Sequence, residues 1–179
     1  MINIFLIPAK GRIDYQVVEE MYGTLGARPA DKYPARAENV IEDGILDAWG
    51  NTWQGPKHEI PAGFTVRLLD KFYLDHIVTR NGRTTPWKCG TKDFEILIGK
   101  TLNGPWTSVL NDSMENHLAP PIPWSIPVNL KKFNIAANTN GQYMKFVCHS
   151  HHPTHVNAES WAPRCSLQYL AIYGSQYWS

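Results

Sequence analysis

The chain has 179 residues, 43% of them hydrophobic and 18% charged, and a formal net charge of +1. That length supports one well-cored domain. The composition is that of a globular chain, not a disordered one, and near-neutrality removes any long-range pull toward nucleic acid or an acidic membrane.

No apolar run approaches the ~18 residues that a membrane-spanning helix needs. The opening MINIFLIPAK lacks the basic region and apolar length of a secretory leader, so the chain reads either as leaderless or as a mature piece with an added Met. Thirteen Pro and 13 Gly, spread along its length, favour many short strands with punctuated turns over long helices.

In chain order, Ile2–Ile7 is a strand candidate ended by Pro8. Asp14–Leu25 carries apolar residues at 17, 18, 21, 22 and 25, a helical spacing with Asp14 as N-cap and Gly26 as stop. The same residues also suit a strand followed by a turn. Residues 1–34 are read as an N-terminal extension packed on a single domain that occupies 35–179.

Ala35–Gly55 interleaves Asn39, Glu42, Asp43 and Asp47 with Gly44 and Gly50. Such a run suits an oxygen-lined loop for a hard cation such as Ca²⁺, or equally an acidic solvated turn, and it lacks the EF-hand pattern. Phe64–Leu69 and Leu74–Thr79 have the alternation of half-buried strands, and Asp70-Lys71 reads as the turn between them. Arg80–Gly90 is a polar loop carrying Trp87. Phe94–Ile98 is a further strand, followed by a turn over Gly99–Trp106 in which Asn103-Gly104 is the strongest signal. Ala119–Pro127 is too Pro-rich for a central strand and reads as a connector or edge, and Phe133–Ala136 is a short strand.

Two last strands, Tyr143–Val147 and Leu167–Tyr173, flank a polar excursion with four histidines (His149, His151, His152, His155) and Trp161. About eight short strands separated by turns imply an all-β antiparallel sandwich or barrel with little helix. Cys148 and Cys165 stand at the base of the excursion, on neighbouring strands, so a disulfide between them is geometrically reasonable. The alternative is free thiols in a reducing compartment. Cys89 is left over.

Several of these segments, in this order, resemble the discoidin (coagulation factor V/VIII type C) domain of the galactose-binding-like superfamily. The carriers are ARAENVIEDGILDAWGNTW, FTVRLLDKFYLDHIVTRNGR, KDFEILIGKTLNGPWTSVL, QYMKF and SLQYLAIYG, which together span roughly residues 35–174. The resemblance implies an eight-stranded jelly roll whose loops at one end form a ligand site. It implies non-catalytic recognition of glycans or glycoproteins, or alternatively of membrane lipid or an extracellular protein, at an extracellular or cell-surface location. It also implies a structural calcium near Asn39, Asp43 and Asp47. On the last strand Gln168 stands where many relatives carry Glu, which removes one charge from that set.

Sugar recognition calls for multi-donor planar groups and an aromatic face. Arg80 follows the strand where glycan-binding relatives carry a ligand-contacting Arg, and its five-donor fork suits adjacent hydroxyls. Trp53 and His58 lie on one loop, and His155 and Trp161 on another. The His…Arg-x-Asp pattern of the fucose-binding branch is absent, because Asn81-Gly82 follows Arg80. In the membrane or protein reading, Trp53 and Trp87 act as apolar loop spikes.

The four histidines and two cysteines match no standard zinc spacing. No hydrolase elbow, metalloprotease helix or phosphate loop is present, so the chain is expected not to be an enzyme. A homo-oligomer assembled through Cys89 or a strand edge is a further expectation.

Overall fold

A computed structural model of the chain describes residues 11–22, 26–27, 37–41, 53–55, 59–82, 90–115, 130–152 and 164–176. The described residues form an antiparallel β-sandwich with one short 3-10 turn, Ala37–Val40. Its strands are β1 (Gly11–Ile13), β2 (Tyr15–Tyr22), β3 (Gly26–Ala27), β4 (Trp53–Gln54), β5 (Ala62–Asn81), β6 (Asp93–Gly99), β7 (Trp106–Ser113), β8 (Lys131–Asn134), β9 (Asn140–Cys148) and β10 (Ser166–Gln176). The all-β class expected from the turn spacing is therefore the class observed.

The architecture hangs on β5, which is 20 residues long and serves both layers. Its first half pairs with β2 on one side and β9 on the other, and β9 continues through β6 to β7. Its second half pairs with β10 and β8, and β10 also takes β1 and β4. The Asp70-Lys71 turn is thus not present. The chain passes from one layer to the other with a register shift between Arg67 and Phe72.

The physical reason lies in the core positions either side. Leu68 and Leu74 are both buried, so the two halves face one core from opposite layers and cannot fold back on each other. Asp70 satisfies the bend locally: its carboxylate accepts from Lys71 N at 2.7 Å and from Gln176 Nε2 at 2.6 Å.

The helical spacing at 14–25 is also overruled. Tyr15–Tyr22 is a strand with a bulge between Val17 and Glu19. The Tyr15 hydroxyl donates to Leu170 O at 2.6 Å, and burial pushes its phenol far above the usual value. β-Branched and aromatic residues pack well on a pleated surface, and a free edge of β5 was there to accept them. The described part of the N-terminal extension thereby supplies strands to both layers. Ile2–Ile7 and Ala119–Pro127 lie outside the described residues.

Between the layers sits an aromatic stack. Phe146 lies parallel to Phe64 at 5.4 Å and to Phe94 at 5.5 Å, with Trp53 edge-on at 6.0 Å. These rings, with Leu68, Ile77, Ile96, Met144, Leu170 and Ile172, are buried in one continuous core.

Candidate functional site

Both ends of β5 arrive at the same pole of the sandwich. Ala62 pairs with Cys148 at the end of β9, and Asn81 pairs with Leu167 at the start of β10. There the Cys148–Cys165 disulfide forms, with Cα atoms 6.2 Å apart. It joins the two layers at their rim and closes the histidine-bearing excursion, as the sequence suggested.

Asn81 is the main polar brace of this pole. It is 5% exposed; its side-chain oxygen accepts from Gly82 N and Thr91 N, both at 2.9 Å, and its amide donates to Thr91 O at 2.8 Å. Thr91 in turn donates through Oγ1 to Ser166 O at 2.9 Å. A side chain at Gly82 would collide with Ser166, since a Cβ there would stand 1.9 Å from its hydroxyl. The two ends of segment 83–89 are thereby pinned to each other and to β10.

A second brace holds the neighbouring segments. His152 N donates to Gly90 O at 3.0 Å, and its Nε2 donates to Met114 O at 2.8 Å. Asp93 accepts from Ser150 Oγ at 2.5 Å and Ser113 Oγ at 2.7 Å. Those hydroxyls hold the Asp93 carboxyl below the usual carboxylate range, and burial holds the His152 imidazole below its usual value. The pole is therefore a rigid frame from which the chain departs at Gly82, Glu115 and His152 and returns at Gly90, Leu130 and Arg164. Departures and returns gathered on a bonded rim are the ordinary construction of a recognition site.

The frame residues Asn81, Thr91, Asp93 and Ser150 were not singled out by the sequence as parts of the site, and His152 stood out only as one of four histidines weighed for zinc. The only signal available was the Asn81-Gly82 dipeptide, which reads as an ordinary turn.

The predicted site residues fare differently. Trp53 is fully buried, edge-on to Phe64 at 5.2 Å, and its indole N–H has no hydrogen-bond partner among the described residues. It is a core residue, unavailable as a stacking platform or a membrane spike. Arg80 lies inside β5, not after it; it pairs with Tyr169, sits half-buried on the outer face of its layer, and already engages a neighbour. Gln168 is buried on β10, and the 3-10 turn that contains Asn39 packs against that strand. His58, Trp87, His155, Trp161, Asp43, Asp47 and Cys89 lie outside the described residues.

The disulfide removes both thiolates from any zinc set, and among the described residues no group of three His, Cys, Asp or Glu is arranged to hold a metal. His149 pairs with Glu95 at 3.0 Å. No helix among the described residues is long and apolar enough to cross a membrane.

No protein-family model matches the sequence, and no curated protein matches it. Solved structures do match in fold. A fragment of a Bacteroides thetaiotaomicron protein provisionally described as a chitobiase is 15% identical, covers 99% of each chain and superposes with a TM-score of 0.66. The family 32 carbohydrate-binding module of C. perfringens NanJ, solved with galactose, is 14% identical over 92% of this chain and 99% of its own, with a TM-score of 0.60. The family 32 module of AlyQ, solved with 4,5-unsaturated mannuronic acid, is 15% identical over 90% and 97%, with a TM-score of 0.57. The fold is thus an antiparallel β-sandwich of the kind these structures have.

Proposed function

We propose that the chain is a non-catalytic carbohydrate-binding module whose ligand is held at the disulfide pole. The observation that carries this reading is the frame itself. A disulfide and two polar braces fasten the bases of chemically dense segments at one rim, on a fold shared with carbohydrate-binding modules. The groups assigned to the ligand are Arg80, His58, Trp87, His155 and Trp161, which supply hydroxyl donors and aromatic faces. Extracellular or cell-surface placement accords with a disulfide of this kind. Asn39, Asp43, Asp47 and Gln168 are the proposed calcium set, structural in role.

The test is a glycan array on the purified chain, with and without a chelator. Discrete neutral-glycan hits that are lost in Arg80→Ala, with the thermal midpoint retained, support the reading, and loss on chelation supports the cation. A blank array from folded protein overturns it. In the adhesion alternative of discoidin type, binding to vesicles or protein survives Arg80→Ala and fails in Trp87→Ala.

A further inference from the structure

The outer face of the layer β2–β5–β9–β6–β7 has a division of charge that the proposed glycan site does not use. Register places Arg67, Tyr143, Gly99 and Trp106 in one transverse row across β5, β9, β6 and β7. The next row toward the disulfide pole holds Thr65, Lys145, Leu97 and Ser108, with the exposed Glu19 of β2 accepting from Thr65 Oγ1 at its edge, and the one beyond it Gly63, Val147, Glu95 and Asn111. The cations Arg67 and Lys145 therefore stand at the far end, with Lys100 adjoining through Gly99. Glu95, held by His149, stands toward the disulfide.

Trp106 is fixed in this row. A Cβ at Gly99 would meet its ring at 3.0 Å and one at Gly104 at 2.8 Å, so the indole fits between two glycines. Lys145 Nζ lies 4.3 Å from the ring centroid. Among the described residues no carboxylate lies within ion-pairing distance of Arg67, Lys100 or Lys145. Arg67 and Lys100 are exposed, while Tyr143, Lys145 and Trp106 are half-exposed. Three cations with no carboxylate in ion-pairing distance among the described residues, set among two aromatic rings on a protein of net charge +1, form a local feature and not a reflection of general basicity.

We propose that this row, together with Lys145 of the neighbouring row over Trp106, is a second binding surface, for an acidic oligosaccharide of uronate type. Its carboxylates would be received by the Arg67 fork and the Lys145 ammonium, and a ring face would rest on Tyr143. Four strands at the usual spacing give a row roughly 14 Å wide, enough for a short oligosaccharide. The carboxylates of Glu95, toward the disulfide, and of Glu19, at the β2 edge, repel an anionic chain and confine it to the β5–β9–β6–β7 part of the row. The surface is independent of the neutral-glycan site at the disulfide pole.

Calorimetry on the full chain with tetrasaccharides of galacturonate, mannuronate and hyaluronan tests it, with the methyl ester of tetragalacturonate as an uncharged control of the same shape. The expected result is binding of at least one acidic tetrasaccharide, a tenfold or greater loss in Arg67→Gln and in Lys145→Gln, and a loss in Tyr143→Ala. Arg80→Ala leaves this binding unchanged. All of these positions except Arg80 are at the surface of the other layer, and circular dichroism checks that each variant folds.

Absence of binding by all three acids overturns the proposal. So does equal binding of the methyl ester, or binding that ignores Arg67→Gln and Lys145→Gln. Tetraglutamate that binds as tightly as the uronates also overturns it, because the face would then read charge and not sugar.

Discussion

Asn81 shows how much of the pole rests on single side chains. Replacing it with Ala leaves the amides of Gly82 and Thr91 with only their longer, 3.3 Å bonds to Ser166 O and leaves Thr91 O without its amide donor, a loss of about 1–3 kcal/mol in all. Asn81→Ala should lower chemical-denaturation stability by that order and leave the m-value unchanged. Asn81→Asp keeps the acceptor but turns the donor to Thr91 O and Glu115 O into a buried carboxylate facing two carbonyls, and should cost at least as much.

His152 carries a pH prediction. Its folded-state affinity for protons is depressed by burial, so below about pH 6.5 the unfolded chain takes up a proton first. The stability it confers is complete above that pH and declines as pH falls. Thermal midpoints measured from pH 8 to 5 should slope downward, and His152→Gln should flatten that slope. Asp93 acts in the same direction at lower pH, through its Ser150 and Ser113 hydroxyls. Trp53 belongs at this scale too. A tryptophan in a Gly-rich segment carries no mark in sequence that separates a core ring from a loop ring, and here a place beside Phe64 and Phe146 decides it.

Among the elements, β5 bears the greatest constraint. A Cβ at Gly63 would stand 2.1 Å from Phe146 O, a backbone atom that cannot swing aside. Gly63→Ala is expected to part β5 from β9 and to abolish soluble expression, whereas Phe146→Ala should fold with a loss of about 3–5 kcal/mol for a fully buried ring.

The disulfide spans 17 residues, and closing a loop of that order contributes about 3 kcal/mol. Cys148→Ser with Cys165→Ser should lower urea stability by that order. It should weaken glycan binding at the pole more than uronate binding on the sheet face, because only the pole is fastened by it. The strand pattern was readable where alternation was clean, as at Phe94–Ile98 and Leu167–Tyr173. At 14–25 the local signal left helix and strand both open, and pairing with β5 decided for the strand; at Asp70-Lys71 the local turn preference was overruled by pairing with distant strands.

At the scale of the whole molecule, near-neutrality sets the salt response. Affinity for a neutral glycan at the pole should change little between about 50 and 500 mM salt, where exposed charges become strongly screened. The uronate surface should weaken severalfold over the same range. Titrations of one neutral and one acidic ligand at two salt concentrations separate the two sites.

The sequence by itself determined the all-β class, the approximate places of the later strands and the position of Cys148 and Cys165 at one loop base, with a disulfide and free thiols both open. It could do so because strand alternation, Gly and Pro punctuation and cysteines at a loop base are local signals. Only the tertiary structure decided that β5 serves both layers, that Trp53 is core, that Asn81 and His152 brace the pole, and that Arg67, Tyr143 and Trp106 share a row. Each of those facts depends on which strands lie side by side. Register between segments far apart in the chain is set by the packing of the whole core and leaves no trace in any one stretch.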